Sequence, residues 1–132
     1  MDHVIEHKVK SILICIGRVK EDYKKSDCNV LNDISYQDSI IMNLQRAVER
    51  CKDIANRLIK INNLCYQKSA VESFELLKNE KIISGNVSLK IQRMILYIDL
   101  IVKNYQKIDT KKLESVVNKH IVDFELFSSE LK

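Results

Sequence analysis

Apolar residues recur at alternating steps of four and three over four long stretches of the chain. Ile5, Val9, Ile12, Ile16, Val19 and Tyr23 form the first stripe, and Ile41, Leu44, Val48, Cys51, Ala55 and Leu58 the second. Val87, Ile91, Met94, Ile98, Ile101 and Tyr105 form the third, and Leu113, Val117, His120, Phe124, Phe127 and Leu131 the fourth. That rhythm is the mark of an amphipathic helix. The pattern predicts an all-α fold: a four-long-helix up-and-down bundle with one extra short helix.

Polar punctuation sets the boundaries. "SAVE" at 69–72 reads as a capping box opening the short helix through Phe74 and Leu77, with Ser69 and Glu72 serving each other's amides. Ser84 and Asp109 fit as N-caps of the last two long helices, and Ser35 or Asp38 as that of the second. Segments 26–34, 62–68 and 79–84 are then connections within a single domain spanning residues 1–132. With no proline and only two glycines, strand and turn signals are almost absent.

The third long helix is unusual because Leu89, Ile95, Leu96, Leu100 and Val102 spill beyond its stripe. A helix apolar nearly all round is covered on more than one side, so a second copy packed as a two-fold dimer is expected. Gln92, Asp99, Lys103 and Gln106 remain as a narrow polar edge. Asp99 interrupts the most apolar run of the chain, either as a solvated edge or as part of a chemical site facing a cleft between subunits. On the second helix Asn43, Arg46, Arg50, Asp53, Arg57 and Lys60 share a polar face flanked by Glu49 and Lys52. Such a face is either merely solvated or binds a nucleotide or a partner beside Asp99 and Lys103.

Composition narrows the rest. The charged "MDHVIEHKVK" start is no export signal, and no segment approaches the roughly 20 apolar residues of a membrane span, so a cytoplasmic protein is expected. Cysteines 15, 28, 51 and 65 show no metal spacing and read as small hydrophobes. A net charge of +4 assists approach to phosphate without identifying a ligand. His3 and His7 stand one helical turn apart, but at a terminal turn without an assured third ligand they assign no metal, and no cofactor is expected. His120, on an apolar stripe, reads as a half-buried packing residue.

Four blocks, "QDSIIMNLQRAVERCKDIANRLI" at 37–59, "ESFELLKNEKIIS" at 72–84, "NYQKID" at 104–109 and "NKHIVDFELFSSELK" at 118–132, resemble the HepT branch of the HEPN superfamily in order and spacing. That branch is the toxin half of MNT/HepT toxin–antitoxin pairs. The resemblance implies a helical bundle that dimerises, metal-independent ribonuclease activity and an MNT-type nucleotidyltransferase antitoxin as partner. The family's signature is an arginine, a short spacer, a histidine, one residue and a tyrosine. Anchored on "NYQKID", the arginine falls on Ile98, the residue after it on Asp99, the histidine on Lys103 and the tyrosine on Tyr105. Two further family positions, a glycine and an aromatic, fall on Leu96 and Tyr97. Only the motif tyrosine persists.

Cleaving RNA through its 2′-hydroxyl needs a base, an acid and a cation to hold the phosphate. Isoleucine supplies none of these, and an ordinary lysine, with a pKa of about 10.4, is protonated at neutral pH. Losing the arginine's bidentate grip costs about 2–4 kcal/mol of transition-state stabilisation. The expectation is a toxin-family protein with weak or lost ribonuclease activity, acting by binding its antitoxin and nucleotide or RNA. An active endonuclease using Lys103 and Asp99, and an orphan nucleotide-binding module, are the alternatives. In the family the matching tyrosine accepts AMP, which makes Tyr105 an AMP-acceptor candidate; the plainer reading is a ring that closes the stripe with its hydroxyl in water.

Overall fold

The computed structural model describes residues 2–27 and 33–132. Six α-helices follow one another among the described residues: α1 (His3–Lys25), α2 (Ile34–Ile61), α3 (Ala70–Asn79), α4 (Gly85–Lys103), α5 (Thr110–Ser115) and α6 (Val122–Glu130). A 3₁₀ turn, Tyr105–Lys107, follows α4, and a π-helical segment, Val116–His120, joins α5 to α6. There is no strand among the described residues.

Side-chain bonds establish the directions. Arg57 holds Asp2 at 2.9 Å, Lys8 holds Asp53 at 3.1 Å, and Asp22 accepts from Ser39, so α1 and α2 are antiparallel. Lys52 with Asp99, and Tyr105 with Asp38, make α2 and α4 antiparallel. Ser84 at the start of α4 donates to Glu130 at the end of α6. Asn118 donates to Tyr23 at 3.0 Å and Lys20 meets Glu125 at 2.6 Å, bringing the C-terminal helices back against α1. The up-and-down bundle is therefore closed into a ring, with short α3 packed on α2 and α4.

The core is where the stripes meet. Ile12, Val19, Ile40, Leu44, Cys51, Ile54, Phe74, Leu77, Leu113, Phe124 and Phe127 are wholly buried, with the Phe74 and Phe127 rings edge to face at 5.5 Å. Burying a large aliphatic or aromatic side chain contributes about 1.5–3 kcal/mol. Cys15 and Cys51 behave as core hydrophobes, and burial pushes the Cys51 thiol well above its usual pKa. Cys65 is exposed, contrary to a core role, and Cys28 lies outside the described residues.

Capping follows the expected chemistry with two corrections, the first being that only the Ser69 half of the expected capping box forms, its hydroxyl accepting from the Glu72 amide at 3.1 Å. Ser69, Ser84 and Asp109 cap α3, α4 and α5 through their side chains. The cap of α2 is Asp33, whose carboxylate accepts from the Ser35 amide at 2.7 Å; Ser35 and Asp38 lie inside the helix. Glycine takes no part in ending the helices: Asp27, Asn63 and Lys81 adopt left-handed φ of 57°, 56° and 59° just beyond α1, α2 and α3. After α2 the Leu64 amide returns to the Ile59 carbonyl at 2.9 Å, a Schellman closure with asparagine in the strained position.

The last long helix is not one regular rod. The π segment inserts an extra residue between Leu113 and Phe124, so Ile121 takes the buried place that a regular stripe assigned to His120. His120 is exposed as a result, with Nδ1 3.6 Å from a carboxylate oxygen of buried Asp123. Asn43 is a second correction: it is buried, donating to the Ser39 carbonyl at 2.9 Å, and not on a solvated face.

Candidate functional site on the edge of α4

Helical spacing puts Gln92, Ile95, Asp99 and Val102 on the side of α4 that faces α2. Asp99 is half-exposed, and its carboxylate lies 3.8 Å from Lys52, which also meets Glu49 at 3.2 Å. Two acids from different helices thus share one ammonium, and Asp99 is paired across the α2–α4 seam. Gln92 donates to Ser88 and to Glu75 of α3, and the Glu75 carboxyl is held below its usual range by Lys78 and then Gln92.

Ile98 points the other way. It is 1% exposed and belongs to the monomer core with Ile91, Met94 and Ile101. The position matching the signature arginine therefore offers no polar group at the surface. Lys103, the last residue of α4, is exposed and lies with Asn104, Tyr105, Gln106 and Lys107 around an open depression. Tyr105 does not close the α4 stripe; it sits past the helix end, in the 3₁₀ turn, half-exposed, with its hydroxyl donating to the Asp38 carboxylate of α2.

The polar face of α2 divides between two neighbours. Glu49 and Lys52 turn to α4, whereas Arg50 meets Ser11 at 3.2 Å and Asp53 meets Lys8, both on α1. Arg57 clamps Asp2 with three hydrogen bonds, and with the Ile5 and Val4 amides it holds the Asp2 carboxyl down at about 2. Arg46 is exposed, one turn before Glu49 and Arg50 on α2. Of the residues expected near Asp99, only Glu49 joins it, through Lys52; Arg50 and Asp53 complete the α1–α2 hairpin.

His3 and His7 are exposed on the first turns of α1, and no group of three His, Cys, Asp or Glu converges on a metal site among the described residues. No described helix is long and apolar enough to cross a membrane. One cluster escaped the sequence reading: Arg93, Tyr97, Lys112, His120 and Asp123 line a groove between α4 and the C-terminal helices. The π turn that turns His120 into it leaves no periodicity signal, because one inserted residue still looks like a step of four followed by three.

Comparison with known proteins places this geometry. Residues 12–131 match the family described as ribonuclease HepT-like. The chain is 33% identical to the mRNA nuclease HepT of Shewanella oneidensis over 132 residues, covering all of this chain and 98% of that one. Its structure superposes with a TM-score of 0.92, at 32% identity, on a tri-AMPylated Shewanella oneidensis HEPN toxin in complex with an MNT antitoxin, covering 99% of this chain and 98% of that one. A toxin–antitoxin structure with AMP-PNP matches equally well, at 0.92 and 32% identity over the whole of both chains. With its all-helical ring, its order of helices and its full-length likeness in agreement, the chain belongs to the ribonuclease HepT-like family, on a HEPN toxin fold.

Proposed function

We propose that this protein is the toxin-side member of a toxin–antitoxin pair, a single helical domain working as a homodimer that docks an MNT-type nucleotidyltransferase antitoxin and has weak or no ribonuclease activity through the family's motif. The observation that carries the last part is Ile98: an apolar side chain buried in the core stands where the signature has arginine. Lys103 stands where it has histidine, and an ammonium binds phosphate but does not exchange protons readily at neutral pH. Asp99 is a carboxylate sharing Lys52 with Glu49, and supplies no cation for phosphate.

Leu89, Leu96 and Leu100 support the dimer. They are 47%, 57% and 59% exposed and lie seven and four residues apart, forming an apolar stripe along α4. A second copy packed there brings two Lys103 and two Tyr105 to a common groove. Arg46, Glu49 and Lys103 then serve as docking groups for antitoxin or nucleotide. Arg50 and Asp53 serve more indirectly, by bracing α2 against α1.

Tyr105 is suited to accept AMP. Its ring is accessible, and its phenol already donates a hydrogen bond to Asp38, which can take the proton as the phenol oxygen attacks the α-phosphorus of ATP held by the transferase and pyrophosphate leaves. The competing reading is an active RNA endonuclease, favoured by the likeness to an mRNA nuclease. Incubating the purified protein with RNA separates the two. The proposal expects cleavage no faster than that of a Lys103→Ala variant, together with tolerated expression and co-purification with the neighbouring nucleotidyltransferase. Rapid cleavage abolished by Lys103→Ala establishes the endonuclease.

A further inference from the structure

On the opposite flank of α4 from Asp99, a groove of about 270 Å³ runs between α4 and the α5–π–α6 segment. Its rim carries three cations, Lys90 and Arg93 from α4 and Lys112 from α5, beside the imidazole of His120 from the π segment. Met94 and Val116 give it an apolar floor. Two polar groups lie deep within its walls. Asp123 is only 6% exposed, held by His120 at 3.6 Å, and the Tyr97 hydroxyl is shielded from solvent without any hydrogen-bond partner. Lys112 stands over the Tyr97 ring at 5.9 Å.

We propose that this groove is a binding site for a nucleoside monophosphate, separate from the motif edge and independent of whether that edge cleaves RNA. Three cations and an imidazole against one carboxylate call for an anion. A bare phosphate would leave the Met94 and Val116 surface and the deep polar groups unused. A fatty acid would offer Asp123 and the Tyr97 hydroxyl no further polar partner. A nucleoside monophosphate meets all three demands: its phosphate takes Arg93 and Lys112, its flat base covers the apolar floor, and its amino or hydroxyl groups serve Asp123 and the Tyr97 hydroxyl. The volume, about 270 Å³, lies just below the roughly 300–1,000 Å³ of ligand sites, which suits a mononucleotide better than a larger ligand. The π segment explains how the site arose, since the extra residue turns His120 out of the core stripe and into this rim.

The test is a titration of the 132-residue protein with AMP, GMP, CMP and UMP, followed by calorimetry and amide chemical-shift mapping. Inorganic phosphate, octanoate and an eight-nucleotide RNA are run alongside. The expected result is saturable binding of at least one mononucleotide with shifts centred on Arg93, Tyr97, Lys112 and His120. Arg93→Gln and Lys112→Gln, both exposed residues that leave the core intact, should each weaken it about tenfold. Tyr97→Phe should also weaken binding, while Lys10→Gln, exposed on α1 and outside the groove, should leave it unchanged. No saturable binding, an equal response to phosphate alone, binding of the oligonucleotide only, or shifts centred on Asp99, Lys103 and Tyr105 would each overturn the proposal.

Discussion

Lys52 and Asp99 lie 3.8 Å apart across the seam between α2 and α4, and Glu49 shares the same ammonium. This pairing is how an aspartate persists in the most apolar stretch of the chain: its side of α4 faces a lysine, and Ile98 beside it faces the core. Both partners are partly exposed, and such pairs contribute about 0–1 kcal/mol. Asp99→Asn should therefore lower unfolding free energy by less than about 1 kcal/mol in urea denaturation. A larger loss would mark Asp99 as structural and remove it from the candidate site on the α4–α2 edge.

Ile98 should behave as a core residue. Ile98→Ala leaves a cavity among Ile91, Met94 and Ile101, and is expected to cost about 2–5 kcal/mol. Lys103→His, at an exposed helix end, should change stability by less than about 0.5 kcal/mol. Comparing their urea midpoints checks both, and a neutral Ile98→Ala would show that the position is free to carry a functional group.

The Tyr97 phenol is pushed up to about 12, first by burial and then by the charge of Asp109. Because its folded pKa exceeds the unfolded value of about 10, its contribution to stability is complete below pH 10 and is lost as pH rises towards 12. Absorbance titration of phenolate should show one late-ionising tyrosine, absent in Tyr97→Phe. Asp2 has the opposite sign: held at about 2 by Arg57, it contributes above pH 3.8 and loses that contribution as pH falls towards 2. Arg57→Gln should return the Asp2 carboxyl towards its ordinary value in an NMR titration.

Gly17 lies inside α1, and a methyl group built there meets nothing within 4 Å. Gly17→Ala should stabilise the protein by about 0.5–1 kcal/mol, raising the thermal midpoint. A fall would reveal that a partner packs against that spot.

If α4 is the dimer face, placing charges at Leu96 and Leu100 should yield monomers of unchanged helicity. Light scattering of a Leu96→Glu, Leu100→Lys double variant checks this, and a dimer that survives would move the interface elsewhere.

Helices α1 to α4, the caps at Ser69, Ser84 and Asp109, and the buried stripes of α1, α2 and α4 as far as Ile101 were decided by sequence alone, because periodicity and capping are local and each residue's choice depends on neighbours within one or two turns. The family was legible for a similar reason, since order and spacing of whole blocks survive drift at single positions. Tertiary structure decided the remainder. Asp38, inside α2, accepts from the Tyr105 hydroxyl beyond the end of α4, a contact only the packing of α2 against α4 creates. A π turn moved His120 from core to rim, and the seam with Lys52 determined what Asp99 does. These outcomes depend on which helix lies opposite, and that information is carried by packing between residues far apart in the chain.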